Sequence, residues 1–141
     1  MPAISFETPA DAAAAFYRAF ALRDVEAMMA VWSEAGDIAC IHPLAHRIKG
    51  PQAIRRSWQQ IFHNAPPLRF LNSDEQLTLA SELAVQTLHE VILLEGEDNP
   101  QSALIATNIF RRETQGWRLI LHHAAPLPDD REEAPPAHQL H

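Results

Sequence analysis

The stretch ATNIFRRETQGWRLILHHAAP, residues 106–126, decides the fold that the sequence predicts. Apolar and β-branched residues on either side of a polar turn indicate two long strands, Ala103–Arg112 and Trp117–Ala125, joined by Glu113–Gly116. Upstream, the same pattern predicts the strands Leu68–Leu79 and Leu83–Leu94. Because short connections join antiparallel neighbours, we expect these four strands to form an antiparallel meander.

The first half of the chain predicts three helices. Thr8-Pro9 combines a capping residue with a proline at the first helical position, Asp24 can cap a second helix, and Gly50-Pro51 opens a third. A short strand, Asp37–Ile41, separates the second and third helices and ends at His42. Helices and strands that are segregated along the chain indicate an α+β fold. We expect the three N-terminal helices to pack on a curved, mainly antiparallel sheet, forming a cone with one pocket.

Composition limits the classes of partner. The chain has 141 residues, enough for one domain, which we expect to span residues 1–126. A net charge of −7 argues against a nucleic-acid or anionic-membrane partner, because both require a basic surface. The sequence shows neither a signal peptide nor a membrane-spanning apolar run, which predicts a cytoplasmic protein. Residues 127–141 are acidic and proline-rich, so we expect a mobile C-terminal tail.

Three segments carry a family resemblance. AFYRAFALRDVEAMMAVWSEAGDIACIHP, IKGPQAIRRSWQQIF and ATNIFRRETQGWRLILHHAAP resemble, in this order, the opening helices and first strand, the third helix, and the closing hairpin of the SnoaL-like and nuclear transport factor 2-like superfamily. The resemblance covers roughly residues 8–126 and implies the cystatin-like cone fold. It does not imply one function, because the superfamily contains enzymes, association domains and transport factors.

Relatives within that superfamily suggest where a site lies. His42, before Pro43, matches the position at which ketosteroid isomerases carry their proton-abstracting aspartate. Phe16 matches their oxyanion-stabilising tyrosine, and the missing hydroxyl argues against steroid isomerisation. Tyr17 is adjacent but is expected to point about 100° away around the helix. The similar closing hairpin of calmodulin-dependent kinase association domains implies that Asn108 and His122 face the cavity.

His42 is the predicted catalytic base, because histidine accepts and returns protons near neutral pH. The alternative for His42 is a partly buried ring bonded to a backbone carbonyl. His122 and Asn108 are the predicted orienting or donor groups, and Glu90 could orient a histidine. The predicted pocket-lining residues are Phe16, Trp32, Trp58, Glu90 and Ile120.

His122 and His123 are neighbours on a strand, so their side chains point to opposite faces. The register implied by the resemblance places His122 inside, with Ile120 and Ala124. His123 then shares the outer face with Trp117, Leu119 and Leu121, and this apolar face predicts a homodimer interface. If the register is wrong, the two histidines exchange roles.

No cofactor and no metal are predicted. His42 and His46 have a spacing that resembles metal ligands, but it straddles a proline loop rather than one helix face. Cys40 lies two residues before His42, where a packed thiol is favoured over a nucleophile. The predicted function is binding of a small, largely apolar ligand, with acid–base chemistry of the isomerase or hydratase/dehydratase type. The alternative is a non-catalytic homodimerisation or ligand-sensing module of the same fold.

Overall fold

The structure, a computed structural model, describes residues 4–100 and 102–128. It confirms the α+β prediction, with three helices followed by long antiparallel strands. Most of the predicted tail, residues 129–141, lies outside the described residues. The helices are α1 (Pro9–Leu22), α2 (Val25–Val31) and α3 (Pro51–Asn64), and the strands are β1 (Ala39–Ile41), β2 (Ile48–Lys49), β3 (Leu68–Leu79), β4 (Leu83–Leu94), β5 (Ser102–Glu113) and β6 (Gly116–Pro126).

Side-chain caps define the starts of the first two helices. Thr8 Oγ1 accepts a hydrogen bond from the Asp11 amide at 3.0 Å, and Asp24 Oδ1 accepts one from the Ala27 amide at the same distance. Each cap satisfies a backbone donor that has no partner inside the helix. Arg23, in the left-handed conformation, ends α1 and lets the chain turn into α2.

The sheet has the strand order β2-β1-β6-β5-β4-β3. Strands β3 to β6 form the predicted antiparallel meander, whereas β1 runs parallel to β6, with Cys40 opposite His122. This parallel pair brings the end of β1, where His42 begins the next loop, beside the inner face of β6. The helices and the inner face of the sheet enclose the apolar core. Among the described residues, no helix is both long and apolar enough to cross a membrane.

A β-bulge in β6 corrects the predicted outer face. Ile109 pairs with Leu121 and Phe110 pairs with Leu119, which leaves Ile120 as an extra residue. Because this residue interrupts the alternation, Leu119 and His122 both point inward. The placement of Trp117 and Leu119 on the outer face was therefore wrong: they are 7% and 0% exposed and belong to the core.

A second bulge lies in the edge strand β3. Ser73 pairs with His89 and Gln76 with Thr87, so Asp74 and Glu75 together occupy one position of the ladder. Asp74 has a φ of 53°, in the left-handed region that aspartate tolerates better than most residues. Because of the bulge, Asp74 approaches His89, and Glu75 turns toward α1 instead.

Candidate functional site

A cavity of about 640 Å³ opens between the helices and the inner face of the sheet. Most of its wall is apolar, and three ionisable side chains, His42, Glu90 and His122, interrupt that wall. Apolar pockets with a few convergent polar groups are typical small-molecule sites. The lining residues are Phe20, His42, Pro43, Ile61, Glu90, Ile92, Ala103, Leu104, His122, Ala124 and Pro126.

The other predicted wall residues lie away from this cavity. Phe16 and Trp58 are buried in the core, where their rings contact that of His122. Trp32 is also buried and borders a separate cavity of about 560 Å³ beside the β5–β6 turn. Ile120 is the extra residue of the β6 bulge and is only partly buried. Phe16 and Trp58 thus lie behind the pocket, and aliphatic residues form most of its surface.

His122 is held by a buried amide. Its Nδ1 lies 2.6 Å from Asn108 Oδ1, while Asn108 Nδ2 donates to Tyr17 Oη and to Gln86 Oε1, both at 3.0 Å. Because both amide hydrogens are used, Asn108 Oδ1 accepts from a protonated His122 Nδ1. Nε2 of His122 therefore carries the free lone pair. Burial, with His42 and His123 nearby, lowers the pKa of His122 to about 3, so the ring is neutral at neutral pH.

Glu90 is a buried carboxyl group with a single hydrogen-bond partner among the described residues. Tyr17 Oη donates to its Oε2 at 2.5 Å. Burial raises the pKa of Glu90 to about 7, although the Tyr17 hydrogen bond lowers it in part. A carboxyl group with this pKa is protonated in about half of the molecules near neutral pH, and so can both donate and accept a proton.

His42 is oriented from α3. Ser57 Oγ donates to the carbonyl of Ile54 at 2.7 Å, so its lone pair accepts from His42 Nε2 at 3.0 Å. This assigns the proton to Nε2 and leaves Nδ1 as the basic nitrogen. Burial lowers the pKa of His42, which keeps the ring neutral and able to accept a proton. The edge-on packing against Trp58, with 4.9 Å between ring centroids, further fixes the ring.

Cys40 and Asn108 each contact a pocket histidine but do not line the cavity themselves. Cys40 Sγ is 3.6 Å from His42 Nε2, but burial raises the pKa of the thiol well above its ordinary value. The thiol is therefore a packed, protonated group and a poor nucleophile. Asn108 is completely buried and does not line the cavity, so it reaches a ligand only through His122.

Sequence reasoning missed Tyr17, Gln86 and Ser57. Tyr17 is 9% exposed because α1 buries a face broad enough for two rows of side chains, and Ala13 and Tyr17 form the second row. That spacing of four residues was the available signal. Gln86 lies four residues before Glu90 on the inner face of β4, where a polar residue in an apolar row indicates a buried network. Ser57 gave no local signal, because its contact depends on how α3 packs against the end of β1.

Metal ligands do not converge at this site. Within residues 4–100 and 102–128, no three side chains of His, Cys, Asp or Glu are grouped closely enough to hold a metal ion. His46, the second histidine of the predicted spacing, does not line the cavity and is exposed.

Comparisons with known proteins place the chain in a family. The SnoaL-like domain profile matches residues 10–129. A structure from Thiobacillus denitrificans, named as a calcium/calmodulin-dependent protein kinase type II association domain, is 38% identical with a TM-score of 0.84, over 89% of this chain and 99% of that one. A structure from Streptomyces avermitilis, named as a dehydratase of the NTF2-like family, is 30% identical with a TM-score of 0.75, over 84% of this chain and 92% of that one.

A curated relative is more distant. The F-box protein SKIP8 of Arabidopsis thaliana is 21% identical over 111 residues, which are 79% of this chain and 46% of that protein. The chain therefore spans about half the length of this relative. Because the domain profile covers most of the chain and solved relatives share its fold, the chain belongs to the SnoaL-like family, with the NTF2-like, cystatin-like cone fold.

Proposed function

We propose that the cavity binds a small, largely apolar molecule and transfers protons at one polar group of that molecule. The observation that carries this proposal is the set of three ionisable groups in an apolar wall: Glu90 with a pKa of about 7, and two neutral histidines whose protons are fixed by their neighbours. Such perturbed groups in a cleft favour acid–base catalysis. The name of the 30% identical Streptomyces relative supports a dehydratase-type reaction.

A dehydration would use the groups in complementary roles. His42 Nδ1 removes a proton from the carbon next to an activating carbonyl, and the electron pair forms the new double bond. Protonated Glu90 transfers its proton to the departing hydroxyl group, which leaves as water. Isomerisation needs only the first transfer and a return of the proton to a different carbon. His122 Nε2, as a fixed acceptor, would orient a hydroxyl group of the substrate.

Asn108 acts in this proposal as a positioning residue rather than a catalytic one. It fixes the tautomer of His122 and also donates to Tyr17, the residue that donates to Glu90. Asn108→Asp would keep an acceptor for His122 Nδ1 but remove the donor to Tyr17 Oη, and its negative charge would favour the protonated form of His122. We expect this change to alter the pH profile of the reaction, which a purely space-filling role would not do.

The test uses proton exchange at carbon. Purified protein is incubated in D₂O with a panel of medium-chain β-hydroxyketones and β,γ-unsaturated ketones, and NMR follows deuterium incorporation and formation of unsaturated product. We expect His42→Asn to abolish both signals and Glu90→Gln to abolish loss of the hydroxyl group. His63→Asn is the matched control, because His63 is exposed on α3. Equal activity of His42→Asn and the control would contradict the assignment of His42 as base.

A ligand-sensing module without catalysis is the second candidate. The observation in its favour is that Tyr17, Gln86, Asn108 and His122 already satisfy one another by hydrogen bonds. This candidate predicts that some members of the panel bind, as shown by shifts in protein NMR signals, but that none of them exchanges deuterium.

We also propose a homodimer through the outer face of the sheet, formed by other residues than Trp117 and Leu119. Val85 is 38% exposed on that face and pairs with Ile109, which pairs in turn with the partly exposed Leu121. Ile105, 43% exposed, lies on the same face of the same strand as Ile109. Contiguous exposed apolar residues on a sheet favour a protein–protein contact. A two-fold contact between identical sheets would cover this patch on both copies.

A further inference from the structure

Tyr17 contacts the pocket carboxyl group and also borders a second, smaller cleft. Its hydroxyl group donates to Glu90, which lines the pocket. Tyr17 also lines a cleft of about 170 Å³ between α1 and the β3–β4 part of the sheet. Tyr17 therefore separates two spaces. The cleft is lined by Ala10, Ala13, Ala14 and Tyr17 of α1, Asn72 and Glu75 of β3, and Gln86 of β4.

The cleft has the polar groups that hold water. Asn72 Oδ1 is a buried acceptor with no hydrogen-bond partner among the described residues. Glu75 is exposed and close enough to Tyr17 for its charge to act on the phenol. The β3 bulge turns Glu75, instead of Asp74, toward this space. A polar cleft of this size admits water, which can bond to the exposed Glu75 carboxylate. The small side chains of Ala10 and Ala14, both exposed, leave its mouth open.

We propose that Tyr17 carries protons between Glu90 and water in this cleft, so that the pocket acid is reprotonated and deprotonated without passage through the apolar pocket. This inference rests on the proposed function, because it supplies the proton that Glu90 exchanges during acid–base chemistry. It assigns Tyr17 a relay role, and it gives the bulged segment of β3 a part in the same reaction.

The proton transfer leaves the Tyr17 oxygen with one O–H bond before and after the step. With Glu90 ionised, the Tyr17 hydroxyl donates to Oε2 while Asn108 Nδ2 donates to Tyr17 Oη. With Glu90 protonated, its O–H donates to Tyr17 Oη, and the Tyr17 hydroxyl hydrogen turns to a water in the cleft. One O–H bond forms at Tyr17 as another breaks, and the proton leaves on water beside the Glu75 carboxylate.

Tyr17 does not pass through a phenolate in this step. Burial, followed by the charge of Glu90, raises the pKa of Tyr17 well above its ordinary value. A concerted transfer avoids the phenolate, because the hydroxyl group gives up one proton while it receives another. The other ionisable groups near Glu90 are Cys40, whose burial keeps it protonated, and the pocket histidines His42 and His122, which its charge would stabilise if they were protonated.

The test measures the exchange of the Glu90 proton directly. Protein carrying ¹³C at glutamate Cδ is studied by carboxyl relaxation dispersion at the midpoint of the Glu90 titration, with Glu90→Gln to assign the signal. We expect Tyr17→Phe to slow the protonation exchange on the order of a hundredfold, because no hydroxyl remains for the transfer. Ala14→Leu should also slow it, since a leucine at this exposed cleft position excludes water while retaining Tyr17.

One further variant serves as the control. Arg18→Leu adds the same side chain at an exposed position of α1 that does not line the cleft, and we expect it to keep the wild-type exchange rate. The proposal is overturned if Tyr17→Phe and Ala14→Leu exchange the Glu90 proton as fast as Arg18→Leu does. Because the readout needs no substrate, failure of the proposed reaction would show separately, as absent deuterium incorporation with normal Glu90 exchange.

Discussion

The burial of Glu90 makes a quantitative prediction about stability and pH. Its pKa is raised from 4.5 to about 7, so the folded protein holds the Glu90 proton over a range in which the unfolded chain has released it. The folded state then binds more protons than the unfolded state, and the free energy of unfolding falls as the pH rises through that range. The contribution of Glu90 to this loss is about 3 kcal/mol, complete above the folded pKa.

Glu90→Gln removes this contribution while retaining an acceptor for Tyr17. We expect the stability of the variant, relative to wild type, to increase by about 3 kcal/mol between about pH 4 and about pH 8. Chemical denaturation at both pH values measures the difference. His122 has the opposite effect, because its lowered folded pKa makes stability rise with pH up to its ordinary value of 6.5, but this effect is present in both proteins and cancels.

Glu82→Gln is the control for the loss of one negative charge, because Glu82 is exposed in the β3–β4 turn. We expect its stability relative to wild type to remain nearly constant over the same pH range. If Glu90→Gln behaves like Glu82→Gln, then Glu90 is not a buried group with a raised pKa. The assignment of Glu90 as the pocket acid would then lose its physical basis.

Three further predictions test other parts of the structure. Leu119→Ala should cost about 2–5 kcal/mol of stability because its side chain is completely buried, whereas Leu121→Ala should cost about 1 kcal/mol or less; equal losses in denaturation would contradict the bulge. Nitrogen-15 NMR of labelled histidines at neutral pH should show the Nδ1–H tautomer for His122 and Nε2–H for His42, and an Nε2–H tautomer of His122 would contradict its hydrogen bond to the amide oxygen of Asn108. Ile105→Lys should shift a dimer to monomer in sedimentation at micromolar concentration, and a wild-type monomer would refute the outer-face contact.

Much of the fold could be predicted because its elements are marked by local sequence. The bounds predicted for Leu68–Leu79 and Leu83–Leu94 agree with the structure, since alternating segments end at clear turn residues. The parallel pairing of β1 with β6 could not be predicted, because β1 is short and its partner lies far along the chain. It is this distant pairing that brings the end of β1 close to His122.

The site was harder to predict than the fold. Its polar positions depend on which residue of a strand points inward, and a bulge changes that choice without a distinct sequence signature. If side chains alternated strictly along β6, an inward His122 would require Trp117 and Leu119 to point outward. The structure keeps all three inside. Tyr17 was likewise set aside by its angle on the helix, although α1 buries a face wide enough to include it.

The extra residue in β6 separates two tasks that a regular strand would link. Before Ile120 the inward side chains of the strand belong to the core, and after it His122 lines the pocket. Inserting or deleting one residue between Ile120 and His122, with the bulge retained, would turn His123 inward in place of His122 while Leu119 stayed in the core. The residue that faces the pocket can thus change when β6 gains or loses one residue, without any substitution in the strand. An ungapped alignment across this position would assign the wrong pocket residue to any relative whose strand lacks the bulge. Site residues are therefore transferred within the family by aligning the part of the strand that follows the bulge.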